Sequence, residues 1–253
     1  MTQRLDKFLS VQTSFTRSEI KKLISKNKVT VDGKIIKDSS LKIDTDTAEI
    51  VLDGQKIVFK DKIYIIMNKP QGYVCATEDK HEKTVLDLLE PQYRRKDIFP
   101  AGRLDKDTVG MVLITNDGEL SHKILSPKNH IAKYYLVELE KPFKSEYIQM
   151  FKQNLRIDGD EICLPAQVKG FDQHENMALL ELFEGKFHQV KRMFSAVENK
   201  VTRLERIQMG SLAIPPNIGL GAYIEIMHKD VEKLLKPSCF DDVYNRIIGD
   251  FSS

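Results

Sequence analysis

Pro100-Ala101-Gly102-Arg103-Leu104-Asp105-Lys106-Asp107-Thr108-Val109-Gly110-Met111-Val112-Leu113-Ile114 is a polar loop bracketed by glycines that runs into an apolar strand. A loop held by such a strand is a common seat for chemically active groups. Arg103 and Asp105 stand two apart with Leu104 between them, so in extended backbone both charges point the same way. A guanidinium beside a carboxylate favours and aims the ionised form. The same spacing suits a structural turn closed by a local salt bridge.

Outward from this loop, strands are expected at Ile63 to Met67, Met111 to Thr115, Tyr134 to Leu139, Ala178 to Phe183 and Tyr223 to Ile226. Helices are expected at Val85–Leu89, Glu119–Leu125, Ser145–Asn154, Phe187–Val197 and Val231–Leu235. The two kinds do not alternate regularly enough for a doubly wound sheet. The fold class is therefore α+β, with a mainly antiparallel mixed sheet. Lys60-Asp61-Lys62 reads as a linker, which divides the chain into residues 1–59, 60–236 and a tail, 237–253, with one short amphipathic helix (Val243, Ile247, Ile248).

Residues 1–59 read as a helix-helix-hairpin module. Thr16-Arg17-Ser18-Glu19 is a capping box, and Ile20, Leu23 and Ile24 form the apolar stripe of the helix it opens. Asp32-Gly33 between Val29-Thr30-Val31 and Lys34-Ile35-Ile36 is a type I′ hairpin signal. Residues 1–40 hold nine Lys and Arg against four acids, a local excess of five in a chain whose net charge is +2. One basic face, with Lys21, Lys22, Lys26 and Lys28, suits a phosphate backbone. A solvated lysine-rich helix has the same pattern.

Two further clusters can carry chemistry. In Glu184-Gly185-Lys186-Phe187-His188-Gln189-Val190-Lys191-Arg192-Met193-Phe194, read as a helix, Lys191 falls on the stripe of Phe187, Val190, Phe194 and Val197. A lysine there needs a carboxylate partner or must snorkel to water. His188 and Arg192 are i,i+4 neighbours on another face and suit phosphate contacts; a plain surface histidine fits as well. Tyr135 shares a strand face with Val137 and Leu139, which suits a ring for a base to stack on or an ordinary core tyrosine.

The 253 residues include 41% hydrophobic and 30% charged types. No apolar run approaches the roughly 18 residues of a membrane helix, and the charged start MTQRLDKFLS does not read as a signal peptide, so a cytoplasmic location is expected. Cys75, Cys163 and Cys239 lack metal-ligand spacing, and Gly219-Leu220-Gly221 lies before a strand rather than between a strand and a helix. Neither a metal nor a cofactor is implied.

Gly102-Arg103-Leu104-Asp105, with Thr108, Gly110 and Thr115-Asn116-Asp117-Gly118, resembles the signature of the bacterial ribosomal pseudouridine synthases. Met67-Asn68-Lys69-Pro70-Gln71-Gly72-Tyr73-Val74-Cys75 and the segment Glu184 to Phe194 resemble the small-subunit, A-type branch. The module from Arg4-Leu5-Asp6-Lys7 to Asp32-Gly33 resembles an S4 RNA-binding domain of the αL type. Together these cover about residues 3–235 in order.

The resemblance implies isomerisation of a specific uridine in 16S ribosomal RNA, free or in a small-subunit assembly intermediate, by a monomer that needs no cofactor. It makes Asp105 the catalytic aspartate, Arg103 its pairing arginine, Tyr135 the tyrosine packed on the target base and Lys191 the basic residue on the aspartate. The candidate RNA contacts are Arg4, Lys7, Arg17, Lys21, Lys22, Lys69, Lys186, His188, Gln189 and Arg192. Glu198 stands where the family usually has glycine, and the segment beyond Pro237 has no counterpart. The alternatives are a large-subunit enzyme of the same class and a non-catalytic RNA-binding assembly protein. Against the second stand the intact Arg103, Asp105, Tyr135 and Lys191.

Overall fold

The computed structural model describes residues Thr2–Phe251 and divides into two compact units. The first holds the residues up to Ile63 together with Leu86–Phe99. Its elements are β1 (Thr2–Arg4), α1 (Leu5–Gln12), α2 (Arg17–Ser25), β2 (Val29–Val31), β3 (Lys34–Ile35), β4 (Lys42–Asp44), β5 (Ile50–Leu52) and β6 (Gln55–Ile57). The Thr16–Glu19 capping box forms in full and starts α2, leaving no first-turn donor of that pair unpaired. Asp32 and Gly33 both take positive φ, as do Asp53 and Gly54, so β2–β3 and β5–β6 close as tight hairpins. Leu5, Phe8 and Leu9 of α1 and Ile20 and Ile24 of α2 bury against Val29, Ile50 and Leu52. Arg95 ties the later segment to this unit: its guanidinium, 4% exposed, binds Asp97 and donates to Gln12 Oε1 at 2.9 Å and to the Lys60 carbonyl at 2.8 Å.

The second unit is built on a mixed sheet of β7 (Tyr64–Lys69), β8 (Phe99–Ala101), β9 (Val109–Thr115), β10 (Lys133–Leu139), β13 (Gln167–Phe171), β14 (His174–Leu182), β15 (Val201–Met209), β16 (Leu212–Ala213) and β17 (Tyr223–Glu225). A separate hairpin pairs β11 (Arg156–Ile157) with β12 (Glu161–Ile162). The main path runs β13-β14-β10-β15-β9-β7-β17, with only β15 and β9 parallel. The helices are α3 (Gly118–Leu125), α4 (Glu146–Lys152), α5 (Gln189–Ala196), α6 (His228–Leu235) and α7 (Phe240–Phe251). Leu120 and Ile124 of α3 and Val231 and Leu234 of α6 cover Tyr64, Ile66, Met111 and Leu113. The tail helix α7 is part of this unit: Phe240, Val243, Tyr244 and Ile247 bury against Tyr134, Phe171 and Leu179, and Tyr244 stacks on Phe171 at 4.9 Å. No helix among the described residues is long and apolar enough to cross a membrane.

Two strands of that main path escape the sequence reading, β13 and β15, and β15 lies at its centre. Its sequence Val-Thr-Arg-Leu-Glu-Arg-Ile-Gln-Met has no apolar alternation, because Arg206 and Gln208 occupy buried positions. Helix α5 is shorter than the expected Phe187–Val197. His188 adopts a left-handed backbone, φ 48°, so the helix begins at Gln189 and Phe187 lies outside its stripe. At the other end Glu198 has φ 57°, and Asn199 N and Glu198 N donate to the carbonyls of Phe194 and Ser195. That is a Schellman cap whose left-handed position favours glycine, which accounts for the glycine expected at this place.

Candidate active site

Sheet register assembles the site. Lys69 on β7, Gly110 on β9, Arg206 on β15, Tyr135 on β10 and Leu180 on β14 are paired in sequence across four strand boundaries. Paired residues share a face, and this one is opposite to the face of Ile66 and Met111 that α3 and α6 cover. Tyr135 is 7% exposed and lies two strands from Gly110, about 10 Å at normal strand spacing.

Gly110 is where the decisive loop enters the sheet. It has φ +101°, and a Cβ built there would stand 2.3 Å from the Arg206 carbonyl oxygen. Only glycine lets β9 and β15 approach this closely.

The sequence reading puts Lys69 at the RNA, and the structure corrects this. The side chain is fully buried, and its ammonium donates to the carbonyls of Thr108 at 2.7 Å, Asp105 at 3.0 Å, Pro70 at 3.2 Å and Lys106 at 3.3 Å. A charge with no solvent around it must be surrounded by acceptors, and a folded-back loop supplies them. Burial lowers the Lys69 pKa, and the nearby Cys75, Asp107 and Asp105 oppose that. Lys69 thus fastens the backbone of the 105–108 loop. Gly72 N, donating to the Lys106 carbonyl at 2.8 Å, and Leu104 N, 3.4 Å from Cys75 Sγ, hold it from the other side.

The loop presents the Asp105 carboxylate, 25% exposed, to α5. Lys191 Nζ lies 3.1 Å from Asp105 Oδ2 and 2.6 Å from Asp107 Oδ1. Burial disfavours the Lys191 ammonium, but the Asp107 and Asp105 carboxylates outweigh it and hold its pKa above the usual lysine value. Burial likewise works against the Asp107 carboxylate, and Lys191 overcomes it, so the Asp107 pKa is lowered. The third group is His188, whose Nε2 is 3.5 Å from Asp105 Oδ1. Asp107 escaped the sequence reading, although its spacing from Asp105 on a short loop was the available signal.

Arg103 is not among these partners. It is exposed, and among the described residues it forms no ion pair, so the expected Arg103–Asp105 pair is absent. The cation on Asp105 comes instead from α5, 86 residues away in sequence.

Four more expected RNA contacts have structural partners. Gln189 is 4% exposed; its amide donates to Glu184 Oε1 at 2.7 Å, and its oxygen accepts from Lys186 N at 2.9 Å. Arg192 binds the Asp158 and Glu161 carboxylates and donates from Nη1 to the Phe187 carbonyl at 3.0 Å. Hydrogen bonds to Glu161 and then Asp158 raise its pKa. Lys186 donates to the Ile162 carbonyl and lies 3.6 Å from Glu161 and 3.8 Å from Glu184. In the first unit Lys7, Arg17, Lys21 and Lys22 are exposed, whereas Arg4 grips Asp6 with two nitrogens at 2.9 and 3.1 Å.

The arrangement is a partly exposed carboxylate aimed by a lysine and a histidine, on a loop locked by a buried lysine, beside a sheet face that carries a tyrosine. A family model described as RNA pseudouridylate synthase matches residues 63–196, and an S4 domain model matches residues 3–48. The uncharacterized RNA pseudouridine synthase YtzG of Bacillus subtilis is 41% identical over 236 residues, covering 92% of this chain and 99% of that protein. A ribosomal small subunit pseudouridine synthase A of Vibrio cholerae is 38% identical over 234 residues, 92% of this chain and 100% of that one. A crystal structure of a pseudouridylate synthase superposes with a TM-score of 0.65 at 35% identity, covering 92% of this chain and 99% of the other.

Proposed function

The chain belongs to the RNA pseudouridylate synthase family, and we propose that it converts one specific uridine of small-subunit (16S) ribosomal RNA to pseudouridine, with Asp105 as the catalytic carboxylate. The observation that carries the assignment of Asp105 is its double engagement by Lys191 and His188 on a loop locked by Lys69. The names of the relatives support the RNA class.

In the reaction the C1′–N1 bond breaks, the uracil turns, and C5 joins C1′. The proton on C5 leaves to solvent and N1 gains one, so atoms balance with no co-reactant. A carboxylate serves as a nucleophile at sugar or base, or as the base that removes a sugar proton. Lys191 is the positioning residue that keeps the carboxylate aimed. The target uridine must leave its stack to reach Asp105, and Tyr135 supplies a ring to receive it. The exposed Lys7, Arg17, Lys21 and Lys22 supply backbone affinity, consistent with an S4 domain.

Tritium release from small-subunit ribosomal RNA labelled at uracil C5 measures the reaction. Asp105→Asn keeps the shape and removes the charge, so release is expected to disappear while RNA binding and melting temperature stay near wild type. Activity within about tenfold of wild type, a barrier change of only about 1.4 kcal/mol, would remove Asp105 from the chemistry.

A further inference from the structure

The largest exposure of any bulky apolar side chain among the described residues is at Phe187, 70%, next to the candidate catalytic centre. Leaving such a ring in water forgoes about 1.5–3 kcal/mol of burial, and this one is held there. On one side, Lys186 N donates to Gln189 Oε1. On the other, Arg192 N donates to the His188 carbonyl, and Arg192 Nη1 donates to the carbonyl of Phe187 itself. Asp158 and Glu161 in turn fix the Arg192 guanidinium. The left-handed turn at His188 brings its imidazole against Phe187, ring centroids 3.8 Å apart and planes 19° from parallel. One face of the Phe187 ring is therefore covered by His188, whose Nε2 reaches Asp105, and the other is open.

Resting on the assignment of an RNA substrate to this site, we propose that the open face of Phe187 is a stacking platform for an unpaired base next to the target uridine. A flat aromatic face two ring layers from the carboxylate lies within reach of a neighbouring nucleotide of a strand whose uridine is turned out. Stacking on a fixed aromatic ring is the usual way a protein holds an unstacked RNA base, and it is tolerant of base identity. The platform holds the strand in register while Asp105 meets the flipped uridine. Arg192 acts through Phe187 as a positioning residue, which explains a guanidinium beside the site whose three nitrogens each donate to a protein acceptor.

The test compares Phe187→Leu, which keeps an apolar side chain without a ring face, with Phe187→Tyr and Phe187→Trp. Each is assayed for tritium release and filter binding on the same labelled small-subunit RNA transcript. Phe187→Leu is expected to raise KM and Kd by about tenfold with kcat within about threefold of wild type, and both aromatic variants to restore wild-type values. Tenfold is about 1.4 kcal/mol, inside the stacking range. Leucine matching wild type, or leucine and tyrosine losing affinity equally, overturns the platform. If the wild-type protein itself released no tritium, the enzymatic reading would fall, and the Leu–Tyr comparison of filter binding would still decide whether a base stacks on Phe187.

Discussion

Lys133 and Arg206 carry charge into the interior of the second unit, 4% and 3% exposed, and the Lys133 ammonium and Arg206 Nη2 have no hydrogen-bond partner among the described residues. Arg206 uses Nε on the Met111 carbonyl at 2.8 Å. Burial, with the nearby Arg206 charge, pulls the Lys133 pKa from 10.5 to about 8. Below pH 8 folded and unfolded chains both hold this proton, and the folded state bears the cost of the buried charge. Between about 8 and 10.5 the unfolded chain binds the proton and the folded one does not, so stability rises with pH across that window. The full effect is about 3 kcal/mol at 1.36 kcal/mol per pKa unit. Lys133→Met is therefore expected to raise the melting temperature at pH 7 and to abolish the rise between pH 8 and 10. Calorimetric melts of wild type and variant across that range check it, and a flat wild-type curve would mean that Lys133 is solvated or paired. Nothing in the sequence marks this lysine, because Lys133 stands just before the expected strand Tyr134 to Leu139 and its burial is set by β14 and β15 on either side. Asp105, by contrast, stood out as a candidate from its loop composition alone, and its lysine from the pattern of the following helix.

At the scale of elements, the close approach of β9 and β15 decides where the loop sits. Their parallel pairing covers only Glu205↔Val109 and Arg206↔Gly110, and the second pair is the tight one. Gly110→Ala would drive a Cβ into backbone, which no side-chain rotation relieves, at a φ that L residues rarely adopt. A loss of about 2–4 kcal/mol is expected in urea unfolding, together with loss of activity, because the Asp105 loop leads directly into this strand. Gly118→Ala is the matched control: nothing lies within 4 Å of its Cβ position, and a change within about 0.5 kcal/mol is expected. Equal effects of the two substitutions would show that the β9–β15 approach does not matter. The apolar run Met111–Ile114 announced β9, and the capping box and the Asp32-Gly33 turn announced the first unit. Strand β15 was hidden because a residue such as Arg206 is buried by pairing with a carbonyl, which no hydrophobic period records.

For the whole molecule the distribution of charge matters more than its sum. The net charge is +2, whereas residues 1–40 carry nine basic groups against four acids. Deleting that module would also strip Leu86–Phe99 of its core, since Arg95 binds Gln12 and the Lys60 carbonyl. Substitution in the full chain is the cleaner test. Arg17→Gln, Lys21→Gln and Lys22→Gln together are expected to weaken RNA binding and to reduce the slope of log affinity against log salt by up to about 2–3, at roughly 0.7–0.9 for each phosphate no longer neutralised. An unchanged slope would place the RNA elsewhere. From sequence alone came the α+β class, the basic helix-helix-hairpin module, the strand that seats Asp105 and the family, because turn chemistry, caps and charge are local properties of the chain. Tertiary structure alone decided that Lys69 locks the loop, that His188 joins Lys191 on Asp105 while Arg103 does not, and that Phe187 stands open beside them. Those facts depend on which residues distant in sequence are brought together, and strand register and backbone handedness determine that only in the folded chain.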